Sequence, residues 1–571
     1  MRPVAKRPRA RLIDYMPHVP PRPQLKLFGR YWALWRVLLA FVGVLILLGG
    51  LVVAASFAFH STGAGQRFMG RFPCVTPSSS VEPGFNFYTR LAHFLNFVYL
   101  LFLVRSGIQI FTDHPRLYMN MHCTPGTDWL RARGDVPRDR TWTAKEDSVT
   151  APGWLGLPGG RHMIGIARHW HFMFDILWIL TGAAFVSLQF ADGTWTRLVP
   201  TSWELAPQTL TCVATYGRLH DPATVAGING YVRFNALQQL SYFGVIFILP
   251  PLQILAGIAM SPAFDNEHKW YPRLFGNRQG ARSVHFILMI AFIAFFAGHM
   301  VLVLSTGAAR NLNGIVLNQD VAQASGVWLT ILGVVFALAL TQAAVWFSWH
   351  YPRTLQRFTA VTVSPILSLL FDREAKAQYP ASEISPYFWP NGKEPDSDEW
   401  RTLVAGEFRD YRLKVTGLVE HPMELSLEQI KDLAARQRQT TLHHCIQGWT
   451  GVSEWGGLPT RALLEAVRPT TEARFAVFYS FGKGLSGHQY YEAQSMANLR
   501  HELSLLAYER NLEPLTITYG APLRLRVENQ LGFKMVKWLQ EIRFVADFNE
   551  TGEGQGGGNE DAEFFGYVAQ I

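Results

Sequence analysis

The chain has 571 residues, 49% of them apolar and 13% aromatic, and a formal charge of +9; that length is too great for one domain. The positive charge gathers in a basic tail beside the first apolar run, where topology and attraction to anionic lipid account for it. Nucleic-acid binding is excluded on that ground.

Residues 1–31 form that tail, and six apolar runs follow, near 32–59, 85–111, 163–190, 237–260, 283–307 and 326–349. Each reaches or exceeds the roughly 20 residues that a helix needs to cross a bilayer. The first run is too long for a signal peptide and lacks a clean cleavage site, so it is expected to stay in the mature protein.

Lys and Arg set the orientation. The tail carries eight, the 112–162 loop seven and the 261–282 loop four. The alternate loops hold only Arg67 and Arg71, then Arg197, Arg218 and Arg233, then Arg310. Both termini are therefore expected inside, in the cytoplasm of a bacterial cell whose inner membrane holds the six spans. Under this topology Cys74 and Cys212 lie outside, where a disulfide between them is permitted, and Cys123 and Cys445 lie inside, where thiols stay reduced. Sequence leaves the Cys74 to Cys212 distance open.

Ligating side chains inside the hydrocarbon layer are costly and read as functional. His93, His169, His171, His285 and His299 all lie in the runs. Fourteen residues separate His285 from His299; on one helix they turn through about 1,400°, within about 40° of one face, and rise about 21 Å. One helix can thus serve two stacked haems. Depth pairs His93 with His299 toward the outside and His171 with His285 toward the inside. His169 stands about 200° from His171 around the helix, so only one of them can face the haem, and His171 is preferred. Gly107, Gly182, Gly257 and Gly298 either give room for a porphyrin beside the backbone or let helices pack closely, with packing preferred, and they do not discriminate.

The stretches RLAHFLNFVYLLFLVRSGIQIFTDHPRLY, ARHWHFMFDILWILTG and FGNRQGARSVHFILMIAFIAFFAGHM resemble the four-helix, two-haem cytochrome b subunits of nickel-iron hydrogenases and formate dehydrogenases. The similarity covers residues 85–307. It implies two haem b groups ligated by His93, His171, His285 and His299, exchanging electrons with quinone.

After the sixth run a linker, residues 351–380, leads into a strand-rich region, residues 381–571. FRDYRLKVTGLV, TTLHHC, ARFAVFYSF, PLTITYG, PLRLRVEN and WLQEIRFVADF read as strands; LSLEQIKDLAARQ and PTRALLEAV read as helices. The glycine-rich stretch TGEGQGGGNEDAEFF reads as a closing loop or an unordered one. Cys445 alone would be an ordinary small core residue. However, TLHHCIQGWTGVSEWGGLPTRALLE and LSLLAYERNLEPLTITYGAPLRLRVENQLGFKMVKW resemble the molybdopterin oxidoreductases of the sulfite oxidase fold, nearest by motif to bacterial methionine sulfoxide reductase catalytic subunits. The fold implied is an α+β molybdopterin domain behind an all-α transmembrane bundle.

The resemblance makes Cys445 the thiolate ligand of molybdenum and the centre of catalysis. It assigns Arg524, Gly532, Phe533 and Lys534 to the pterin, and more weakly Ser480, Tyr519, Tyr387 and Phe388. Lys537 reads as a strand charge. Tyr519 replaces an asparagine and Ser480 a threonine, and the entry segment PYFWPNGKEP lacks the family's Asn and Glu. His443, His444, His488, Tyr490 and Tyr491 are candidates for substrate contact or proton delivery. Together these readings imply a membrane-bound molybdenum oxidoreductase that couples S-oxide or N-oxide reduction, or sulfite-type oxidation with Arg461 or Arg500 at the metal, to the quinone pool. The absence of a twin-arginine signal fits cytoplasmic cofactor loading. The alternative is an electron-transfer or structural subunit of a larger respiratory complex with an inactive or empty molybdopterin domain.

Overall fold

A computed structural model describes residues 20–74, 82–137, 140, 142–218, 220, 230–371, 376 and 378–567; most of the basic tail lies outside them. Six helices are long and apolar enough to cross a membrane: Leu34–Ser61, Phe87–Phe111, Ile164–Ala191, Ala236–Ala259, Arg278–Ser305 and Ala324–His350. The protein is a multi-pass membrane protein. The fifth span begins earlier than the apolar run because Asn277 caps it, its side chain accepting from the Gln279 and Gly280 amides at 2.8 and 3.1 Å. That cap places Arg278 and Arg282 on the helix. The fourth span contains a π-helical turn, Gly244–Ile248, just before Pro250 and Pro251, whose missing N–H groups break the regular ladder there.

The second span packs along the third and the fourth along the fifth, with the sixth beside the second. The first span leans instead on a further helix, Leu205–Gly217. A Cβ at Gly217 would lie 2.1 Å from Ser56 Oγ, so only glycine permits that approach. Cys74 and Cys212 form a disulfide in the same place, with Cα atoms 4.8 Å apart.

On the other side of the bundle, β1 (Gln24–Leu27) and β2 (Arg30–Ala33) form a hairpin within the stretch read as tail. They join β3 (Arg116–Leu117) and β4 (Leu130–Arg131), from the loop between spans two and three, in the order β2-β1-β4-β3. The stretch read as a linker is also ordered differently from the expectation: Pro352–Thr362 and Ser364–Phe371 are helices, the first opened by proline at its N-terminus, where the lost N–H has no cost.

The strand-rich half contains β5 (Leu413–Gly417), β6 (Met423–Leu425), β7 (Gln437–His444), β8 (Thr450–Pro459), β9 (Phe475–Lys483), β10 (Gln489–Ser495), β11 (Leu505–Arg510), β12 (Glu513–Pro514), β13 (Arg524–Arg526) and β14 (Leu539–Val545). One sheet runs β10-β9-β14-β5-β6, the other β12-β11-β8-β7 with β13 on β11. Only β5 and β14 among these pairs are parallel. Alternate residues of both sheets, among them Leu413, Val415, Phe478, Leu506, Leu525 and Ile542, meet in one core, as period-2 side chains must. PLTITYG, expected as a strand, is mostly a 3-10 turn, Ile517–Tyr519. The glycine-rich stretch is a docked strap ending in a short helix, Gly558–Ala562.

Candidate redox sites

The in-membrane histidines meet in the pairs that depth suggests. The ring centroids of His93 and His299 are 6.4 Å apart, and those of His171 and His285 are also 6.4 Å apart. Two imidazoles on one iron need two bonds of about 2 Å plus two ring radii, which matches that spacing. A Cβ at Gly107 would stand 3.3 Å from His171, and one at Gly257 3.5 Å from His285. These two glycines lie directly against the imidazoles. Gly182 and Gly298 instead open onto a cavity of about 2370 Å³ that also exposes His93 and His299.

His171 Nδ1 lies 2.9 Å from Ser106 Oγ, and Ser106 donates its own proton to the Phe102 carbonyl at 2.7 Å. The hydroxyl therefore accepts from Nδ1 and leaves Nε2 for a metal. His169 has neither nitrogen free: Nε2 meets the Phe564 carbonyl at 2.9 Å and Nδ1 meets Thr359 Oγ1 at 2.8 Å. Asp175, which sequence reading passed over, places Oδ2 3.8 Å from His171 Nε2.

Cys445 lies in the turn between β7 and β8, closed by the Cys445 amide on the Trp449 carbonyl at 3.1 Å and by Gly448, at φ +105°, donating to the Cys445 carbonyl. Its Sγ lies 3.8 Å from Asn391 Nδ2 and 3.9 Å from Gln447 Oε1, and the Gln447 backbone also bonds it. Burial pushes the thiol up to about 12, so the proton leaves readily only when a metal replaces it. Phe388 packs on His443, Trp449 and Trp455, and Tyr519 donates to its carbonyl at 2.7 Å. Tyr387 stands against Trp389. Gly532 faces His443, where a Cβ would come within 2.2 Å of the ring, and Phe533 stacks on Phe565.

Arg524 and Lys537 converge across Gly520, whose absent Cβ would touch both side chains at 3.1 Å. Burial and Arg526 hold the Arg524 guanidinium well below its ordinary range, and burial and Arg524 do the same to Lys537. A buried guanidinium and a half-buried ammonium that repel each other suit an anion such as a pterin phosphate. Ser480 joins this place by donating to the Lys537 carbonyl at 2.7 Å. Arg524 Nε, His444 Nδ1 and Nε2 and Trp455 Nε1 are buried with no hydrogen-bond partner among the described residues. Cys445, the cation pair and these orphaned atoms fit a molybdenum-pterin group.

Lys534 is engaged within the protein: its ammonium sits between Glu492, at 3.0 Å, and Glu560. Tyr490 bonds Glu492 and the Phe533 carbonyl, and Tyr491 bonds Asp561 and the Thr551 carbonyl. His488, Arg461 and Arg500 are exposed; the two arginines do not gather at Cys445.

Residues 84–316 match the family described as prokaryotic cytochrome b561, and residues 402–552 match the oxidoreductase molybdopterin binding domain. The two matches follow one another along the chain. The protein-methionine-sulfoxide reductase catalytic subunit MsrP of Xanthomonas campestris is 34% identical over 151 residues, 25% of this chain and 47% of the relative. YedZ1 of Azospira oryzae is 31% identical over 174 residues, 30% of this chain and 62% of its own length. The chain thus spans about half the length of the first of these relatives and under two thirds of the second. The sulfane dehydrogenase SoxCD of Paracoccus pantotrophus aligns at 24% identity with a TM-score of 0.22, covering 24% of this chain and 39% of that one.

The two halves touch at the cysteine turn. Arg278 Nη1 and Gln279 Nε2, at the start of the fifth span, donate to the Gly448 carbonyl at 3.1 and 2.8 Å. Asn391, Arg278 and Gln279 were not singled out from sequence, and Lys537 was read only as a strand charge. The signal for Asn391 was its place in the entry segment, and for Lys537 its neighbourhood to Arg524 across a turn.

Proposed function

We propose that the chain reduces an S-oxide or N-oxide at Cys445 with electrons drawn from quinol through two b haems. The overall balance is QH2 + R2SO → Q + R2S + H2O. Bound cofactors supply two-electron oxygen-atom transfer at the cysteine and one-electron relay in the membrane. The methionine-sulfoxide name of the MsrP relatives favours a sulfoxide over the other oxides, and the exposure of Arg461 and Arg500 removes the arginines read for a sulfite site.

The observation that carries this reading is the course of the fifth span. Its first turn bonds Gly448, three residues from Cys445, and the same helix bears His285 and then His299. From Gln279 to His285 the helix rises about 9 Å. The His171–His285 pair therefore stands next to the molybdopterin half, and the His93–His299 pair stands at the far side. The cavity of about 2370 Å³ at that far pair exceeds the roughly 300–1,000 Å³ of ordinary ligand pockets, enough for a haem and a quinone ring together.

Orientation rests on two supports. Lys and Arg crowd the loops on the molybdopterin side, and the Cys74–Cys212 disulfide lies on the other side, as an oxidising exterior requires. The molybdopterin half is thereby cytoplasmic. The empty-domain alternative is weakened by Asn391, which returns an asparagine to the cysteine, and by the Arg524–Lys537 cation pair. The test is His299→Ala in the purified holoprotein: one b haem should be lost and molybdenum retained at one per chain. Retention of both haems overturns the ligand assignment, and absence of molybdenum from the wild type returns the subunit alternative.

A further inference from the structure

The loop between spans two and three belongs to the cytochrome half, yet it runs along the turn that carries Cys445. Gln447 Nε2 donates to the Asp113 carbonyl at 3.2 Å and to its carboxylate at 3.3 Å. Arg282 donates to the carbonyls of His114 and Arg116 at 2.8 and 2.9 Å, and its guanidinium lies against Gly448, where a Cβ would stand 3.2 Å away. Thr450 Oγ1 donates to the Met121 carbonyl at 2.6 Å, and the Thr450 amide donates to Cys123 Sγ at 3.4 Å. The backbone of residues 113–123 is thus fastened to residues 447–450 at both ends.

Two side chains of this loop stand out. His114 and Tyr118 are both fully buried, and neither imidazole nitrogen nor the phenol oxygen has a hydrogen-bond partner among the described residues. The nearest carboxylate to His114, that of Asp147, is 4.0 Å away. The two rings stack at 6.0 Å, and His114 meets the edge of Trp389 at 4.7 Å. Trp389 is two residues from Asn391, whose amide reaches Cys445 Sγ, and Tyr118 shares one buried cluster with Trp389 and Cys445. Buried polar groups are bonded as a rule, and unexplained exceptions point to a missing ligand. The groups suited to the pterin, Arg524 and Lys537, come from the other half of the chain and leave these two unexplained.

We propose that His114 and Tyr118 bind the oxygen of the oxide substrate, so that the active site is shared between the two halves. The inference rests on the oxide-reduction reading above. The chemistry of the loop fits a neutral, dipolar S–O oxygen. Arg116 is consumed by Asp147, at 2.7 and 2.8 Å, and by Asp128 at 3.5 Å. Arg282 spends Nη1 and Nη2 on the Arg116 and His114 carbonyls. The groups left without a partner among the described residues are an imidazole and a phenol, with Trp389 and Trp142 as an apolar wall 5.3 Å apart.

The experiment uses the full-length holoprotein, free methionine sulfoxide as the probe and a dithionite-reduced viologen as electron source, with His114→Phe, His114→Gln and Tyr118→Phe. Molybdenum content, the haem spectrum, KM and kcat, and the Mo(V) paramagnetic resonance signal are read in each. The expected result is KM raised about tenfold by either Phe substitution, partial recovery in His114→Gln, an altered Mo(V) signal, and metal and haem at wild-type levels. Unchanged KM and signal overturn the proposal. Loss of molybdenum in both Phe variants also overturns it, because the residues would then support the cofactor and not the substrate. If the wild type reduces no oxide, the function proposed above falls by itself. The Mo(V) signal then decides this inference alone, an unaltered signal refuting the shared site.

Discussion

His169 and His171 lie two residues apart and have separate fates. The helical angle between them was readable from sequence, and so was the choice of His171, because a 3.6-residue repeat fixes which face each side chain takes. Ser106 could not be read in this way, since its contact with His171 joins two helices. With Ser106 accepting from Nδ1–H, Ser106→Ala removes electron density from the imidazole. The potential of the haem proposed at His171 should rise, and a spectroscopic redox titration that finds no change would show the bond to be idle. Asp265 gives a pH prediction. Burial raises its carboxyl to about 7, above the value of the unfolded chain. The folded state therefore binds the proton more tightly, and stability is greatest at low pH and declines as pH rises from about 4 to 7. Asp265→Asn should flatten that decline in thermal unfolding of the detergent-solubilised protein; an unchanged slope would place the titration elsewhere.

At the scale of elements, the apolar runs announced six helices because about 20 unbroken apolar residues have few other uses. Alternation likewise revealed β7, β9 and β14. The strap was illegible: residues 551–565 have neither period, and their order comes from distant partners. Arg353 holds the Glu560 and Asp561 carbonyls at 2.7 Å each, Gln356 donates to the Phe565 carbonyl, and Lys145 pairs with Glu563 at 2.8 Å. Lys534 adds its ammonium to Glu492 and Glu560. Burial and the facing Glu560 raise Glu492 well above the ordinary carboxyl range, even with Lys534 beside it. Removing the cation leaves two buried carboxylates opposed. Lys534→Met should destabilise the molybdopterin half by roughly 3–5 kcal/mol, read as a lower unfolding midpoint with the haem spectrum intact. A loss of haem in step with that unfolding would mean that the halves melt as one.

Across the whole molecule, the junction between halves is a buried ionic network. Although burial opposes it, Lys145 and His162 hold Asp113 below the usual carboxylate range. Asp113 accepts from Lys145 at 3.0 Å and meets His162 Nε2 at 2.9 Å, while Gln447 ties the same residue to the cysteine turn. Composition could separate an apolar half from a mixed one, but not foresee this seam, because its members are ordinary loop residues until the chain brings them together. Under the proposed function, the continuous chain also fixes the supply of reducing equivalents. Where a reductase and its membrane donor are separate molecules, each turnover waits for an encounter, and thinning them in lipid slows the work. Here donor and acceptor travel together, so the local concentration of one around the other is set by the fold. Vesicles loaded with progressively fewer copies should show the same quinol-driven rate per molecule, and a rate that falls with dilution would reveal a partner still to be met by diffusion.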